Sequence, residues 1–247
     1  NRLLIWFFLQ EKNFSAALRQ MIALDRRTGN EDAQIFQLGK MAANSKMYED
    51  SEIAYNYLLE KGSKNPFYHQ AFAQNIHSSY LEYTESNDKD MNEGEKLADK
   101  FEKGMKLLGY TPPTINLIIE YSHLLAFYLD NPEKAVSILD KGLEIPRLKP
   151  EESGILKTEL ADVYVYASDT WEAVLLYSQV IDANKNNSLG DEAKLKKARL
   201  GYYMGNFSWA KAQLDVLKAS TSKLTANDAM ELSMLIGNNL NLDTTAV

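Results

Sequence analysis

The chain of 247 residues contains no cysteine, and that absence removes disulfides, thiolate nucleophiles and zinc–thiolate sites together. Proline is scarce, with 6 in all, and it falls where helices can begin, as at Asn65-Pro66, Thr111-Pro112-Pro113 and Asn131-Pro132. Proline is tolerated in a first helical turn and breaks a helix interior, so this placement favours an all-helical chain. Cations are in deficit: 27 Lys and Arg stand against 34 Asp and Glu, for a formal net charge of -7. Nucleic-acid binding needs cations clustered on one face, and a membrane-surface helix needs a basic polar side, so neither partner is expected. Long apolar runs are missing too. Leu3 to Leu9, inside NRLLIWFFLQ, is far short of the roughly 20 residues that span a bilayer, and no small-residue cleavage site of a signal peptide follows it. Because no initiating Met is present, the sequence is expected to be a piece of a longer protein, with any targeting signal upstream.

Catalytic signatures are equally thin. The three histidines, His69, His77 and His123, show neither H-x-x-x-H nor H-E-x-x-H spacing. No G-x-S-x-G occurs, and GYYMGN at 201–206 is followed by no G-K-[ST]. The carboxylate pairs Glu49-Asp50 and Glu151-Glu152 fall at helix starts, where the helix dipole favours negative charge. The polar stretch EYTESNDKDMNEGEK at 82–96 supplies oxygen ligands in Glu85, Asp88, Asp90 and Glu93. It lacks the glycine and terminal glutamate of an EF-hand loop and reads as a solvated loop or helix end. One basic run, with Lys194, Lys196, Lys197 and Arg199, reads as a solvated helix face. The chain is therefore expected to be no enzyme and to hold no cofactor or metal.

What the sequence does contain is repetition. NFSAALRQMIAL from Asn13, MYEDSEIAYNYLL from Met47, NPEKAVSILDKGL from Asn131, TWEAVLLYSQVI from Thr170 and NFSWAKAQLDVL from Asn206 share one pattern. A turn or capping residue opens each, and a small residue follows with apolar positions at helical spacing. The small residues are Ala17, Ser51, Ala135, Ala173 and Ala210, with Ala98 assigned the same role in a weaker copy, GEKLADKFEKGMKLL. Their successive spacings are 34, 47, 37, 38 and 37 residues. Upstream of them stand matching first-helix residues: Leu38-Gly39, Leu160-Ala161 with Tyr164, and Ala198 with Gly201.

On these residues the chain resembles the tetratricopeptide repeat superfamily, whose unit is a 34-residue helix–turn–helix. The resemblance implies a right-handed α-solenoid of about six hairpins, near 1–29, 30–64, 65–110, 111–148, 149–186 and 187–222, with a final helix at 225–240. Capping boxes are expected at Ser188–Asp191 and Thr225–Asp228. Carrying over the family's inward-facing offsets selects Phe36 and Lys40, Asp162 and Tyr166, and Arg199 and Tyr202 as partner-binding positions on a concave face. The family's carboxylate clamp is not matched, since Arg2, Trp6 and Gln37 stand at three of its offsets. The second half also resembles long bacterial repeat proteins of presumed envelope location. The expected function is a protein–protein interaction scaffold that takes a peptide or partner helix. The alternatives are a structural spacer in a larger envelope protein and a helical binder of glycans or small molecules.

Overall fold

The computed structural model describes residues 2–185, 187–220 and 222–243, without side-chain detail beyond residue 239. Within these, every regular element is helical. The helices are α1 (Arg2–Gln10), α2 (Phe14–Thr28), α3 (Asp32–Asn44), α4 (Tyr48–Glu60), α5 (Tyr68–Glu85) and α6 (Met91–Leu108). A short 3-10 turn at Pro112–Thr114 precedes α7 (Ile115–His123), which runs on as a π-helical turn over Leu124–Tyr128. The remainder are α8 (Pro132–Leu143), α9 (Pro150–Tyr166), α10 (Thr170–Ala183), α11 (Ser188–Tyr203), α12 (Phe207–Leu217) and α13 (Lys223–Asp243). Each helix packs on the next in sequence within two compact units, Asn1–Gly109 and Tyr110–Val247, so each unit contains three hairpins.

The repeat pattern works through close packing. Ala17, Ser51, Ala135, Ala173 and Ala210 are all fully buried. A side chain no larger than a hydroxymethyl there lets the second helix of a hairpin approach its neighbours closely. Five residues before each of them the chain takes the left-handed conformation, at Lys12, Lys46, Asp130, Ser168 and Gly205. These positions close the first helix of the hairpin. The amide of the following residue reaches back to the carbonyl five earlier, as in Asn13 to Phe8, Met47 to Ala42, Asp169 to Tyr164 and Asn206 to Gly201. In the fourth hairpin the bond from Asn131 reaches Leu125, one residue further, because the π turn holds one extra residue.

The third hairpin departs from the pattern. Ala98 is only half-buried, whereas Gly94, Leu97, Phe101, Gly104 and Met105 form the inner face of α6. The close contact is made at Gly104, where a Cβ would lie 2.4 Å from Ile76 Cδ1. Ala98 is therefore not the packing residue. The helix starts differ as well. Asn187, not Ser188, caps α11 by accepting from the Gly190 amide at 3.0 Å. Ser222 rather than Thr225 caps α13, its Oγ accepting from the Thr225 amide at 3.3 Å. Both caps lie earlier than the sequence pattern indicates because a neighbouring polar residue reaches the free amides first.

Two cores result. Phe14, Leu18, Ile35, Phe36, Tyr55 and Leu58 fill the first unit. Leu195, Ala198, Ala210, Leu214, Leu217 and Ile236 close the far end of the second. Gly201 belongs to this end: a Cβ there would meet the Trp209 ring at 2.6 Å, so the indole of α12 packs against α11 at this point.

Candidate functional site

In the second unit α7, α9 and α11, the first helices of its three hairpins, and α13, which follows them, stand side by side. Beside the buried apolar contacts, several of the side chains that meet across them are polar. His123 Nδ1 on α7 lies 2.9 Å from Glu159 Oε1 on α9. Lys196 on α11 donates to Asp162 Oδ2 on α9. Arg199 Nη2 donates to Asp228 Oδ2 on α13 at 2.8 Å. The Tyr166 hydroxyl, near the end of α9, donates to Asp130 Oδ1 at 3.0 Å, and its ring meets Phe127 edge-on at 5.3 Å. One row of charge and aromatic rings thus crosses the faces of these helices.

Asp162 anchors the row from below. Its Oδ1 accepts from Tyr177 Oη at 2.5 Å, and Tyr177 on α10 is only 2% exposed. Burial pushes the Tyr177 phenol well above its ordinary range, and the adjacent Asp162 charge adds to the shift, so the hydroxyl stays protonated and donates to the carboxylate. Tyr177→Phe removes that donor while leaving the ring in place. It is expected to cost about 1.5 kcal/mol, the worth of a hydrogen bond to a charged group. A urea midpoint unchanged from wild type would show that the bond contributes nothing.

The six positions chosen from sequence divide sharply. Asp162, Tyr166 and Arg199 belong to the row. Lys40 is exposed on α3 of the first unit. Phe36 is 7% exposed and packs on Tyr55 and Phe67 at ring distances of 5.8 and 5.4 Å. It is a core residue and not a contact residue, because α3 turns it toward α4. Tyr202 is half-buried against Phe207 at 5.4 Å, whereas its neighbour Tyr203 is 79% exposed. The outward ring is therefore Tyr203. A signal for it exists in the sequence: Tyr203 follows Tyr166 by 37 residues, the spacing that separates Ala173 from Ala210.

The basic run divides in the same way. Lys196 and Arg199 turn to the first-helix face, while Lys197 reaches Ser178 on α10 and Lys194 pairs with Asp191 at 2.9 Å. Each of these cations already has a partner. Three of the four carboxylates picked out at 82–96 are engaged in structure too. Glu85 accepts from Tyr48 Oη at 2.8 Å and pairs with Lys46 at 3.0 Å. Asp90 caps α6 through the Asn92 amide, and Glu93 pairs with Lys96. Glu85 is held below the usual carboxylate range, first by the bond from Lys46 and then by that from Tyr48. Beside them an open cleft of about 560 Å³ is lined by Glu52, Ser79, Glu82, Tyr83 and Lys100. Among the described residues no group of three or more His, Cys, Asp or Glu side chains is placed to hold a metal ion. No described helix is long and apolar enough to cross a membrane.

No family model and no curated protein matches this chain. Solved structures do, at low identity. PilF of Pseudomonas aeruginosa matches with a TM-score of 0.60 at 15% identity, over 89% of this chain and 94% of that one. Yeast Tom70 matches with a TM-score of 0.62 at 12% identity, over 91% of this chain and 44% of that one. YrrB, described as a tetratricopeptide protein with an unusual peptide-binding site, gives 0.54 at 14%, over 85% of this chain and 97% of that one.

Proposed function

We propose that this chain, which has the tetratricopeptide fold of stacked helical hairpins, is an interaction scaffold that binds a protein segment along the first-helix face of its second unit and catalyses no reaction. The observation that carries this reading is the row itself. Tyr166 and Arg199 are exposed, yet each is tethered to a carboxylate on a neighbouring element, Asp130 and Asp228. Side chains fixed in this way lose little entropy when a ligand arrives, which is the condition for a preorganised surface. The mixture of ring faces, amphoteric pairs and shallow recesses suits a polypeptide better than a small ligand, which needs an enclosed pocket. The peptide-binding site named for YrrB supports the same use of the fold. Lys40 on α3 extends the reading to the first unit as a separate contact candidate.

Selection of random peptides on the immobilised full chain tests this, with a photo-crosslinking group added to the enriched peptides. Crosslinks are expected on α9, α11 and α13, mapped by mass spectrometry. Crosslinks confined to α10 and α12 would overturn the choice of face. A selection that enriches nothing above an unrelated helical protein would overturn the scaffold reading.

A further inference from the structure

The first hairpin differs from the rest of the chain in charge. Residues 1–29 hold five cations, Arg2, Lys12, Arg19, Arg26 and Arg27, against two carboxylates, Glu11 and Asp25, in a chain whose net charge is -7. Asp25 is taken by Lys61, which also holds Asp32. Glu31, a buried carboxylate at the start of α3, pairs with Arg2 at 3.1 Å. Arg26 lies over the Tyr57 ring, and Arg27 bonds to the Ala23 carbonyl of its own helix at 3.2 Å. Among the described residues neither Arg19 nor Arg27 meets a carboxylate. The nearby acids already hold cations while these arginines are left over, so the field of the hairpin is positive.

Its packing differs too. α3 packs on α5, but α1 makes no comparable contact with α3. Between α1 and α3 opens an apolar recess of about 310 Å³, lined by Ile5, Trp6 and Leu9 of α1, Met21 and Leu24 of α2 and Gln34 of α3. The Arg2–Glu31 pair stands at the same place. Arg2, Leu24 and Glu31 also line a wider hollow of about 680 Å³ with Leu3, Arg27 and Thr28, so Arg27 stands at the edge of one continuous surface. Trp6 is 61% exposed and Leu3 is 84% exposed. Apolar side chains left so open gain little for the fold from burial. A recess of this size lies at the lower limit for small ligands and suits one bulky side chain. Trp and Arg, the two types at its rim, are those that most often carry binding energy.

An occupant has to satisfy both halves of this surface. An aliphatic or aromatic side chain fills the recess and removes its lining from water. A carboxylate beside that side chain meets Arg27, whose planar fork takes both oxygens in parallel. A basic segment would be repelled by the hairpin, and a neutral one would leave Arg27 unmatched. A second copy docking two-fold by the same face would bring one positive hairpin against another. We propose that the recess between α1 and α3 binds an acidic segment of a partner protein, with one bulky apolar side chain in the recess and an Asp or Glu side chain on Arg27. This site lies in the first unit and does not depend on the row of the second.

The test uses the full chain and short fluorescein-labelled peptides of Asp, Glu, Ser and Gly around a central Leu-Phe, read by anisotropy. All are amidated, so that only side-chain carboxylates are offered. The acidic peptide is expected to bind, and less tightly as salt is added. Ser-Ser in place of Leu-Phe should weaken it at least about tenfold, the worth of burying one such side chain. Amides in place of the acids should weaken it about two- to fivefold, the worth of an exposed ion pair. Lysines in their place should abolish binding. Arg27→Gln is expected to cost the acidic peptide about the same two- to fivefold and to flatten its salt dependence. Trp6→Ala is expected to cost about tenfold. Both residues are exposed, so the variants should fold, which circular dichroism checks. A photoreactive leucine in the peptide should crosslink to α1, α2 and the start of α3. Wild-type affinity in the Trp6→Ala/Arg27→Gln double variant, equal binding of the lysine peptide, or no binding of the acidic one would overturn the proposal. Crosslinks on α9, α11 and α13 instead would overturn this site and leave the reading of the second unit standing. Sedimentation that shows a dimer dissociated by Trp6→Ala would place a second copy in the recess and would overturn it as well.

Discussion

Asp25→Ala is expected to destabilise the chain by about 3 kcal/mol, the cost of breaking a buried, hydrogen-bonded ion pair from one side. The Asp25 side chain is 1% exposed, at the end of α2. Its Oδ1 accepts from the Glu31 amide at 2.9 Å, and its Oδ2 accepts from Tyr57 Oη at 2.7 Å and from the Lys61 ammonium. One carboxylate thus joins α2, the connection to α3, and α4. Alanine leaves the Glu31 amide and the Tyr57 hydroxyl without this acceptor, while Lys61 keeps Asp32. For a chain of this size the loss corresponds to roughly 6–12 °C in Tm.

The pH dependence of the same group separates charge from packing. Burial alone would raise the Asp25 carboxyl, but the bonds from Lys61, the Glu31 amide and Tyr57 outweigh it and hold the group below its ordinary value. A folded pKa below the unfolded one gives stability that is fully present above the unfolded value, near 3.9, and is lost as the pH falls through the folded value. The difference in urea midpoint between wild type and Asp25→Ala should therefore be large at pH 7 and shrink below about pH 4. A difference that stays constant across that range would mean that the charge is not what stabilises this junction.

Gly190→Ala is the second large effect, expected at about 2 kcal/mol. A Cβ on Gly190 would lie 1.9 Å from the Asn184 carbonyl oxygen and 2.8 Å from its carbonyl carbon. That oxygen belongs to backbone, and Asn184 is held in place. Its amide donates to Val180 O at 2.9 Å, and its side chain accepts from Asn187 Nδ2 at 2.9 Å. On its other side Gly154 of α9 lies close, with a built Cβ 2.9 Å from Asn184 Nδ2. Asn184 is thus clasped between two glycines of successive first helices. Overpacking of this kind costs up to about 3 kcal/mol. Alanine's better helix propensity returns at most about 1 kcal/mol. Calorimetry should show Tm lowered by roughly 4–8 °C. Gly237→Ala is the comparator, since its Cβ meets only the flexible Lys211 Cε at 3.3 Å. Equal Tm values for the two variants would show that the start of α11 yields at no cost.

Helix periodicity and small-residue spacing read the hairpins correctly wherever one buried residue governs the packing, as at Ala17, Ser51, Ala135, Ala173 and Ala210. They fail at Ala98, because the third hairpin makes its close approach through Gly104 against Ile76. The π turn at Leu124–Tyr128 has no local mark in the sequence, since one extra residue changes neither composition nor hydrophobic pattern. The site was legible in part. Offsets counted from a family pattern carry an error of one residue, and one residue on a helix is a rotation of about 100°. That rotation separates half-buried Tyr202 from exposed Tyr203. The partners of Asp162 and Arg199 lie 34 and 29 residues away, where only stacking brings them into contact.

The internal pairing of the α11 cations also bears on polyanions. Affinity for a nucleic acid comes largely from the small ions that bound cations release from its phosphates. Lys194, Lys196 and Arg199 already hold carboxylates, and Lys197 lies over the Trp209 ring. A phosphate that engaged them would first have to break contacts the fold has made, so the entropy of released ions would be offset before any affinity accrued. A run of four cations within six residues is, in these terms, largely discharged by its own neighbours.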